Sequence, residues 1–361
     1  MRAAISGFPE EGTDMKRSGK DAAENRSGHY YRGVDLLKCA GALLIINSHM
    51  ESLYPKSALA TGGAFGNALF FICSGFLLEN RIGSRKERSE KLRSLLHFLL
   101  KIYVPVTIAT VLWAGKDFPY SNFFLKYIWP PYYWFPAAVI LFYLAYLPLR
   151  KCGILFRRFP CFLLAMGIFY AMYYILLLDT SEWVVEAPGL LTVESDFKLI
   201  YCFVIFCFGG WIHQNDFTDS AVRRCRVLLP VSVISLYAVK FLFTREPVFY
   251  HLQFLNQLSV LLFAVSALIA VKRSGGKERK KDLVSLISGL SLELYLVQFP
   301  CIGAAQKTGW RFPLNFVTAL ALILVSAFVL NRIAGRIADL LSAGIRCAQK
   351  KFRGREPRNT K

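Results

Sequence analysis

Three ionisable residues lie in one apolar segment near the N-terminus, within residues 34–50. Asp35 and Lys38 stand three positions apart at its beginning, and His49 follows Lys38 by eleven positions. An ionisable side chain in the apolar core of a membrane costs about 3 kcal/mol or more, so such residues are functional candidates. At a rise of about 1.5 Å per helical residue, His49 lies roughly 16 Å from Lys38. Because histidine is the usual general base near neutral pH, His49 is a candidate for proton transfer.

Structural roles also account for these residues. Lys38 at a membrane edge can pair with Asp35, three positions before it, and extend its ammonium to the lipid headgroups. His49 near the opposite surface can hydrogen-bond to Asn47, Glu51 or water. The residue types alone leave the structural and the catalytic interpretation of His49 both open.

The composition indicates a membrane protein. Of the 361 residues, 55% are hydrophobic, which is more than a soluble chain of this length can cover. The net charge of +20 comes from Lys and Arg between apolar runs, so it indicates membrane topology. No basic folded domain is long enough to bind nucleic acid. The nine cysteines include no CxxC pair and no cluster with histidine, so we expect no metal site.

Ten apolar stretches are each about as long as a helix that crosses a 30 Å hydrocarbon core. They predict an all-α, polytopic transmembrane helix bundle of about ten spans. The stretches are residues 34–53, 64–80, 96–114, 132–149, 159–178, 197–213, 227–244, 253–272, 283–304 and 313–335.

The segments between the stretches alternate in charge. One set is basic, as in "NRIGSRKERSEKLR" and "KRSGGKERKK", whereas the other set is poor in Lys and Arg and includes the acidic "DTSEWVVEAPGLLTVESD". The positive-inside rule then places both termini in the cytoplasm, with the chain as a multi-pass protein of the inner cell membrane. We expect a disordered cytoplasmic arm over residues 1–32, a membrane domain over 33–345 and a basic cytoplasmic tail over 346–361.

Several segments together resemble one family. "RGVDLLKCAGALLIINSHM", "GNALFFICSGFLL", "FLLKIYVP", "WFPAAVILFYLAYLPL" and "SLELYLVQFP" follow one another in the order and spacing of the acyltransferase type 3 family. The resemblance extends over about residues 33–345. It implies an integral membrane O-acyltransferase that moves an acyl group, most commonly acetyl, from cytoplasmic acyl-CoA to a glycan. The same resemblance implies a polysaccharide-modifying enzyme that acts at the cell membrane.

The resemblance also implies roles for individual residues. His49 is expected to act as the general base, with Lys38 and Asp35 completing the catalytic group. An acyl-histidine intermediate is an alternative to base catalysis. On the acyl-CoA side the resemblance points to the basic residues His97, Lys101 and Arg93. Supporting roles are expected for Glu51, Glu293, Gln298 and Asn47.

Three positions depart from the family pattern. Lys38 replaces the usual arginine, which keeps the charge but loses the bidentate guanidinium. The two basic residues of the third helix are reduced to His97 and Lys101, which weakens the expected acyl-CoA contacts there. Gln298 stands where many relatives have histidine. His49 itself is retained.

A membrane transporter or flippase for a glycan or small polar solute is the alternative function. It also places polar groups within spans, although no pair of related halves is visible in the sequence. The expected partners are acyl-CoA, a glycan or lipid-linked saccharide acceptor and the lipid bilayer, with no nucleic acid. Acyl-CoA enters as donor substrate, and we expect no bound cofactor. The sequence does not define the oligomeric state.

Overall fold

The computed structural model describes residues 30–82, 88–114, 134–177, 183–186, 190–193, 197–245, 252–273 and 282–353. The predicted arm up to residue 29 and the tail from residue 354 lie outside them. Within the described residues the chain forms twelve α-helices and one two-stranded sheet. The helices are α1 Arg32–Ser48, α2 Gly63–Ile82, α3 Arg88–Ala114, α4 Trp134–Lys151, α5 Ile154–Arg157, α6 Phe159–Met172, α7 Phe197–Gln214, α8 Asp219–Arg245, α9 Phe254–Val271, α10 Leu283–Gly289, α11 Ser291–Lys307 and α12 Leu314–Arg353.

A helix lies in each of the ten apolar stretches predicted from sequence. Over the described residues, five helical segments are long and apolar enough to cross a membrane, and a sixth is added if α10 and α11 form one span bent by 77°. Two shorter apolar helices lie in α3 and α7. The number of ten spans and the side of each terminus stay predictions. The five segments are Ser57–Ile82, Phe159–Leu176, Asp219–Leu242, Phe254–Val271 and Leu314–Ile345.

A short hairpin modifies the all-α prediction. Strand β1, Trp183–Glu186, pairs antiparallel with β2, Leu190–Val193, with Trp183 opposite Val193. Val184, Val185 and Thr192 are β-branched residues, which favour extended backbone. The hairpin lies in the acidic segment between α6 and α7, where the sequence loses its helical apolar pattern.

Helices α2 and α7 approach each other through glycine. A Cβ atom added at Gly75 would lie 1.9 Å from the carbonyl oxygen of Phe206, and one added at Gly209 would lie 2.0 Å from that of Ile72. No side chain fits at either distance, so the backbones touch directly. Small residues at helix interfaces allow such close approach in membrane proteins. The glycine pair of the "FCFGGWI" segment therefore has a packing role.

A buried carboxylate joins the ends of three helices. Glu79 at the end of α2 is completely buried and forms a salt bridge of 2.8 Å with Arg150 at the end of α4. Its carboxylate also accepts hydrogen bonds from the hydroxyl of Tyr146, at 2.9 Å, and from Nε2 of Gln214 in α7, at 2.6 Å. The charge is thus neutralised and hydrogen-bonded, which is the condition for burying it.

Lys272 closes the neighbouring helix end. Its ammonium donates to the carbonyl oxygens of Ile212, at 2.7 Å, and His213, at 3.2 Å, and also contacts that of Asn215. The carbonyls of Ile212 and His213 belong to the C-terminal turn of α7, where they have no partner within the helix, and Asn215 directly follows it. We call this side of the bundle, marked by Arg32, Glu79 and Lys272, the basic end. The opposite side, where α1 ends, is the His49 end.

Replacing Gly209 with alanine is expected to lower the free energy of unfolding by about 1–3 kcal/mol, because the added methyl group forces α2 and α7 apart. Thermal unfolding of the purified protein in detergent measures the change. Gly167→Ala in α6 is the matched control, since a Cβ atom there meets no atom within 4 Å. Equal melting temperatures for the two variants would contradict the glycine contact.

Candidate active site

Asp35 is a buried carboxylate held by two hydroxyl groups. It lies in the first turn of α1 with 8% of its surface exposed. Tyr30 donates to Oδ2 at 2.8 Å, and Ser288 donates to Oδ1 at 2.5 Å. Both donors belong to the basic end, and Ser288 comes from the far part of the chain. Asp35 therefore fixes the start of α1 against α10.

The side chain of Lys38 binds the backbone of the same serine. The Lys38 ammonium donates to the carbonyl oxygen of Ser288 at 2.8 Å. Helix α10 ends at Gly289, so the last carbonyls of α10 point out of the helix and carry partial negative charge. The lysine satisfies one of them. Asp35 and Lys38 are thus linked through Ser288, at the break between α10 and α11.

The start of α10 is anchored to α1 as well. Asp282 caps α10 by accepting the backbone N–H of Ser285 at 2.9 Å, and it forms a bidentate ion pair with Arg32. The Ser285 N–H and then the Arg32 guanidinium lower the pKa of the Asp282 carboxyl to about 2. The carboxylate is therefore charged at neutral pH. Both ends of the short helix α10 are held by residues of α1.

A cavity of about 360 Å³ opens beside Lys38, in a size range typical of small-molecule sites. Three cationic side chains line it, namely Lys38, Arg81 and Lys101, together with the polar Glu293 and Asn331. Its apolar lining comes from α1, α2, α3, α4 and α11 and includes Ile45, Phe70, Ile102, Phe135 and Tyr295. The cavity therefore has a cationic part next to an apolar part.

Among the described residues of this lining, Glu293 is the one acidic side chain, and it is 5% exposed. Its Oε1 accepts a hydrogen bond from Asn331 of α12 at 2.8 Å. The charges of Lys38 and Lys101 both act on it. Three cations face one carboxylate, so the lining has a net positive charge that suits an anionic ligand.

His49 directly follows the last residue of α1, and its ring lies 4.6 Å from the ring of Phe299 in α11. It is not among the residues that line the cavity, whose lining on α1 reaches Ile45. Four residues of helix separate Ile45 from His49, a rise of about 6 Å. The structure thus places His49 one helical turn beyond the cavity.

Asn47 lies in the last turn of α1 and Glu51 in the loop that follows, and Asn47 ties the helix to that loop. The Asn47 amide donates to the carbonyl oxygens of Leu59 and Thr61, both at 2.9 Å, and its oxygen accepts the Tyr54 hydroxyl at 2.5 Å. These bonds give Asn47 a structural role in the loop. Glu51 begins the 3₁₀ turn Glu51–Leu53 and is exposed.

His97 points away from the cavity. Its Nδ1 lies 3.1 Å from the hydroxyl of Ser342 and its Nε2 lies 4.0 Å from Asp339, both in α12. Lys101, one turn further along α3, lines the cavity. The side chain of Arg93 lies outside the described residues. Of the three basic residues predicted to bind acyl-CoA, the structure brings Lys101 together with Lys38.

Gln298 is a completely buried amide on α11. Neither its Nε2 nor its Oε1 has a hydrogen-bond partner. Tyr295, one turn before it, lines the cavity, and its neighbour Phe299 contacts His49. The amide therefore lies on the part of α11 that runs from the cavity to His49. A buried unsatisfied amide calls for a specific explanation.

Sequence reasoning missed Arg81, Ser288 and Asn331. Arg81 lies in the last turn of α2, and its guanidinium lies 4.4 Å from the ring of Phe98. The sequence analysis assigned its charge to membrane topology. Asn331 is a polar residue within the long apolar helix α12, which was an available signal. Ser288 acts through a helix break that no local pattern marks.

The chain was compared with known proteins. A family model described as an acyltransferase domain matches residues 31–332. The matched range contains α1 to α11 and the first half of α12, and thus nearly every residue that lines the cavity. No curated protein and no solved structure matches the chain.

Ser288→Ala is expected to lower the free energy of unfolding by about 1–3 kcal/mol, because buried Asp35 loses a hydroxyl donor. Thermal or denaturant unfolding in detergent measures the loss. Thr318→Ala is the control, since that hydroxyl donates to the Leu314 carbonyl of its own helix. A loss no larger than that of the control would contradict the role given to Ser288.

Proposed function

The chain belongs to the acyltransferase type 3 family and is a membrane protein, and on this premise we propose that it is an O-acyltransferase. It moves an acyl group, which we take to be acetyl, from cytoplasmic acyl-CoA to a hydroxyl of an exported or surface glycan. The observation that carries the proposal is the cavity with three cations beside an apolar part. Coenzyme A has the same two properties, with charged phosphates at one end and an uncharged arm at the other.

The proposed orientation places the basic end in the cytoplasm and the His49 end outside, in the inner cell membrane. Helix ends at the basic end carry Arg150, Lys151 and Lys272, as the positive-inside rule requires of cytoplasmic segments. Ten spans put both termini on that side, together with the N-terminal arm and the basic tail. The cationic part of the cavity then faces the compartment that holds acyl-CoA.

Lys38, Arg81 and Lys101 are proposed to bind the phosphates of acyl-CoA. Charge-assisted hydrogen bonds to phosphate are among the strong ones available to a protein. The pantetheine arm then runs along the apolar lining past Phe70 and Phe135 towards His49. Lys38 and His49 are about 16 Å apart along α1, a distance of the order of the extended arm. The thioester thus reaches the outer part of the bundle while the phosphates stay inside.

His49 is proposed to act as the general base. Its imidazole takes the proton of the glycan hydroxyl as that oxygen attacks the thioester carbonyl, a contribution of about 10²–10⁴ in rate. The new C–O bond forms, the C–S bond breaks, and coenzyme A leaves as the thiolate, which receives the proton from the imidazolium. Glu51 is close in sequence and supports the base in this proposal.

Gln298 is proposed to contact the substrate at the level of the helical turn between Ile45 and His49. We assign its buried amide to the thioester carbonyl, to which Nε2 donates when the acyl group lies beside it. Preorganised donors of this kind stabilise the oxyanion that develops during acyl transfer. The role explains why a completely buried amide has no protein partner. It requires the cavity to extend by about 6 Å when acyl-CoA binds.

One observation favours a transporter as second candidate. Helices α10 and α11 meet at a bend of 77°, and interrupted helices often surround the substrate sites of transporters.

An assay of the purified protein with acyl-CoA and a glycan acceptor separates the two functions. Release of CoA supports the enzyme, whereas movement of the saccharide across liposomes without acyl-CoA supports a transporter.

His49→Ala is expected to lower CoA release with acceptor by at least about 10²-fold, because the hydroxyl loses its base. Expression and membrane insertion are expected to match the wild type. Ser52→Ala, in the same outer loop, is the control. Wild-type turnover in His49→Ala would remove the residue from the mechanism.

Lys38→Arg is expected to retain more activity than Lys38→Ala, because arginine keeps the charge that phosphate and the Ser288 carbonyl require. The loss of activity is expected as a higher KM for acyl-CoA, which is measured by CoA release. Equal activity of the two variants would reduce Lys38 to a membrane anchor.

A further inference from the structure

Lys240 near the end of α8 and Gln253 and Asn256 at the start of α9 are buried polar side chains at the His49 end of these two helices. Lys240 is 7% exposed, Gln253 2% and Asn256 6%. Within the described part of the chain, neither amide atom of Gln253 or of Asn256 has a hydrogen-bond partner. The Lys240 ammonium lies 5.7 Å from the ring of Tyr237, and among the described residues no carboxylate pairs with it. We call Lys240, Gln253 and Asn256 the polar cluster.

A hydrogen bond between α8 and α9 sets their register. The hydroxyls of Ser235 and Ser259 are 3.0 Å apart, and the two helices run antiparallel. Lys240 follows Ser235 by five residues and Gln253 precedes Ser259 by six, so both lie about 7–9 Å further towards the His49 end. Lys240 and Gln253 are therefore at the same level of the bundle, and Asn256 lies about one helical turn nearer the serine pair.

The loop that follows His49 borders the same region. The hydroxyl of Thr61 in this loop lies 3.0 Å from the hydroxyl of Tyr237. Tyr237 lies one turn before Lys240 in α8. The rings of Phe65 and Phe263 are 4.2 Å apart and hold the start of α2 against α9. Asn256 lies two turns beyond Phe263, on the same face and towards the loop. The polar cluster is thus next to the segment that carries the proposed base.

Elsewhere a buried lysine and a half-buried asparagine are satisfied by the protein. Lys272 binds three backbone carbonyls, and the Asn47 amide makes three hydrogen bonds. An unpaired ammonium or amide in an apolar environment is unfavourable, and such a charge within a span indicates a functional site. The polar cluster is therefore suited to a ligand that supplies both an anion and hydroxyl groups.

We propose that the polar cluster binds the acceptor saccharide through its hydroxyl groups and one anionic group. Each carboxamide both donates and accepts, which matches sugar hydroxyls, and the Lys240 ammonium matches a carboxylate or phosphate. The anion comes either from an acidic sugar or from the phosphate of a lipid-linked saccharide. This inference rests on the proposed function, because it names the acceptor of the same reaction.

Binding of three soluble sugars to the intact protein in detergent tests the proposal. The probes are glucuronate, which carries a carboxylate, glucose 1-phosphate, which carries a phosphate, and glucose, which carries no anionic group. All three present sugar hydroxyls. Wild-type protein is expected to bind at least one anionic sugar about tenfold more tightly than glucose. Tighter binding of glucuronate indicates an acidic glycan, and tighter binding of glucose 1-phosphate indicates a lipid-linked saccharide.

Two variants and a matched control complete the test. Lys240→Met is expected to abolish the preference for the anionic sugar, whereas Lys56→Met, an exposed lysine of the outer loop, keeps it. Asn256→Leu is expected to weaken the binding of all three sugars. It is also expected to raise the melting temperature of the sugar-free protein, since it removes an unsatisfied buried amide. Wild-type sugar binding by both Lys240→Met and Asn256→Leu would overturn the site.

Release of CoA separates this inference from the proposed function. If the wild type releases no CoA with any acceptor but Lys240→Met loses anion preference, the proposed reaction fails and the binding site stands. If the wild type releases CoA and Lys240→Met binds and turns over the anionic acceptor normally, the binding site alone fails.

Discussion

The break between α10 and α11 at Ser288 determines how charge is buried in this bundle. A helix that ends inside an apolar bundle leaves carbonyl groups that water does not reach, and each must find a donor. Lys38 supplies one donor, and the Ser288 hydroxyl in turn supplies a donor to Asp35. The break thus makes a cation and an anion tolerable within one turn of α1. It also frees the space beside Lys38 in which the cavity lies.

Glu79 and Lys272 at the basic end differ from two buried amides towards the His49 end in how completely they are satisfied. At the basic end Glu79 and Lys272 have several partners each, and α2 and α7 touch through glycine. Such contacts fix the backbone and leave little freedom. Towards the His49 end, Gln298 and Asn256 are buried without partners. Glu79 and Lys272 thus belong to the frame, whereas the amides of Gln298 and Asn256 lie where substrates are proposed to bind.

Much of this arrangement was predictable from sequence. Apolar length located the helices, and the rule that charge is rare within spans selected Asp35, Lys38 and Glu293. The structure places Lys38 and Glu293 in one cavity. What sequence did not provide is orientation about each helix axis, so His97 was grouped with Lys101 although it faces α12. Contacts that depend on a helix break also escape local patterns.

His49 lies between two regions with opposite requirements. On one side the cavity presents cations for the proposed phosphorylated donor, and on the other the polar cluster presents an ammonium and amides for the proposed acceptor. Among the described residues no side chain hydrogen-bonds to its imidazole, whose ring contacts Phe299. In the proposed reaction His49 receives a proton from one substrate and delivers it to the leaving group of the other, so it cannot be tied to a protein acceptor throughout. The lack of a fixed partner is therefore consistent with a residue whose partners are the two substrates in turn.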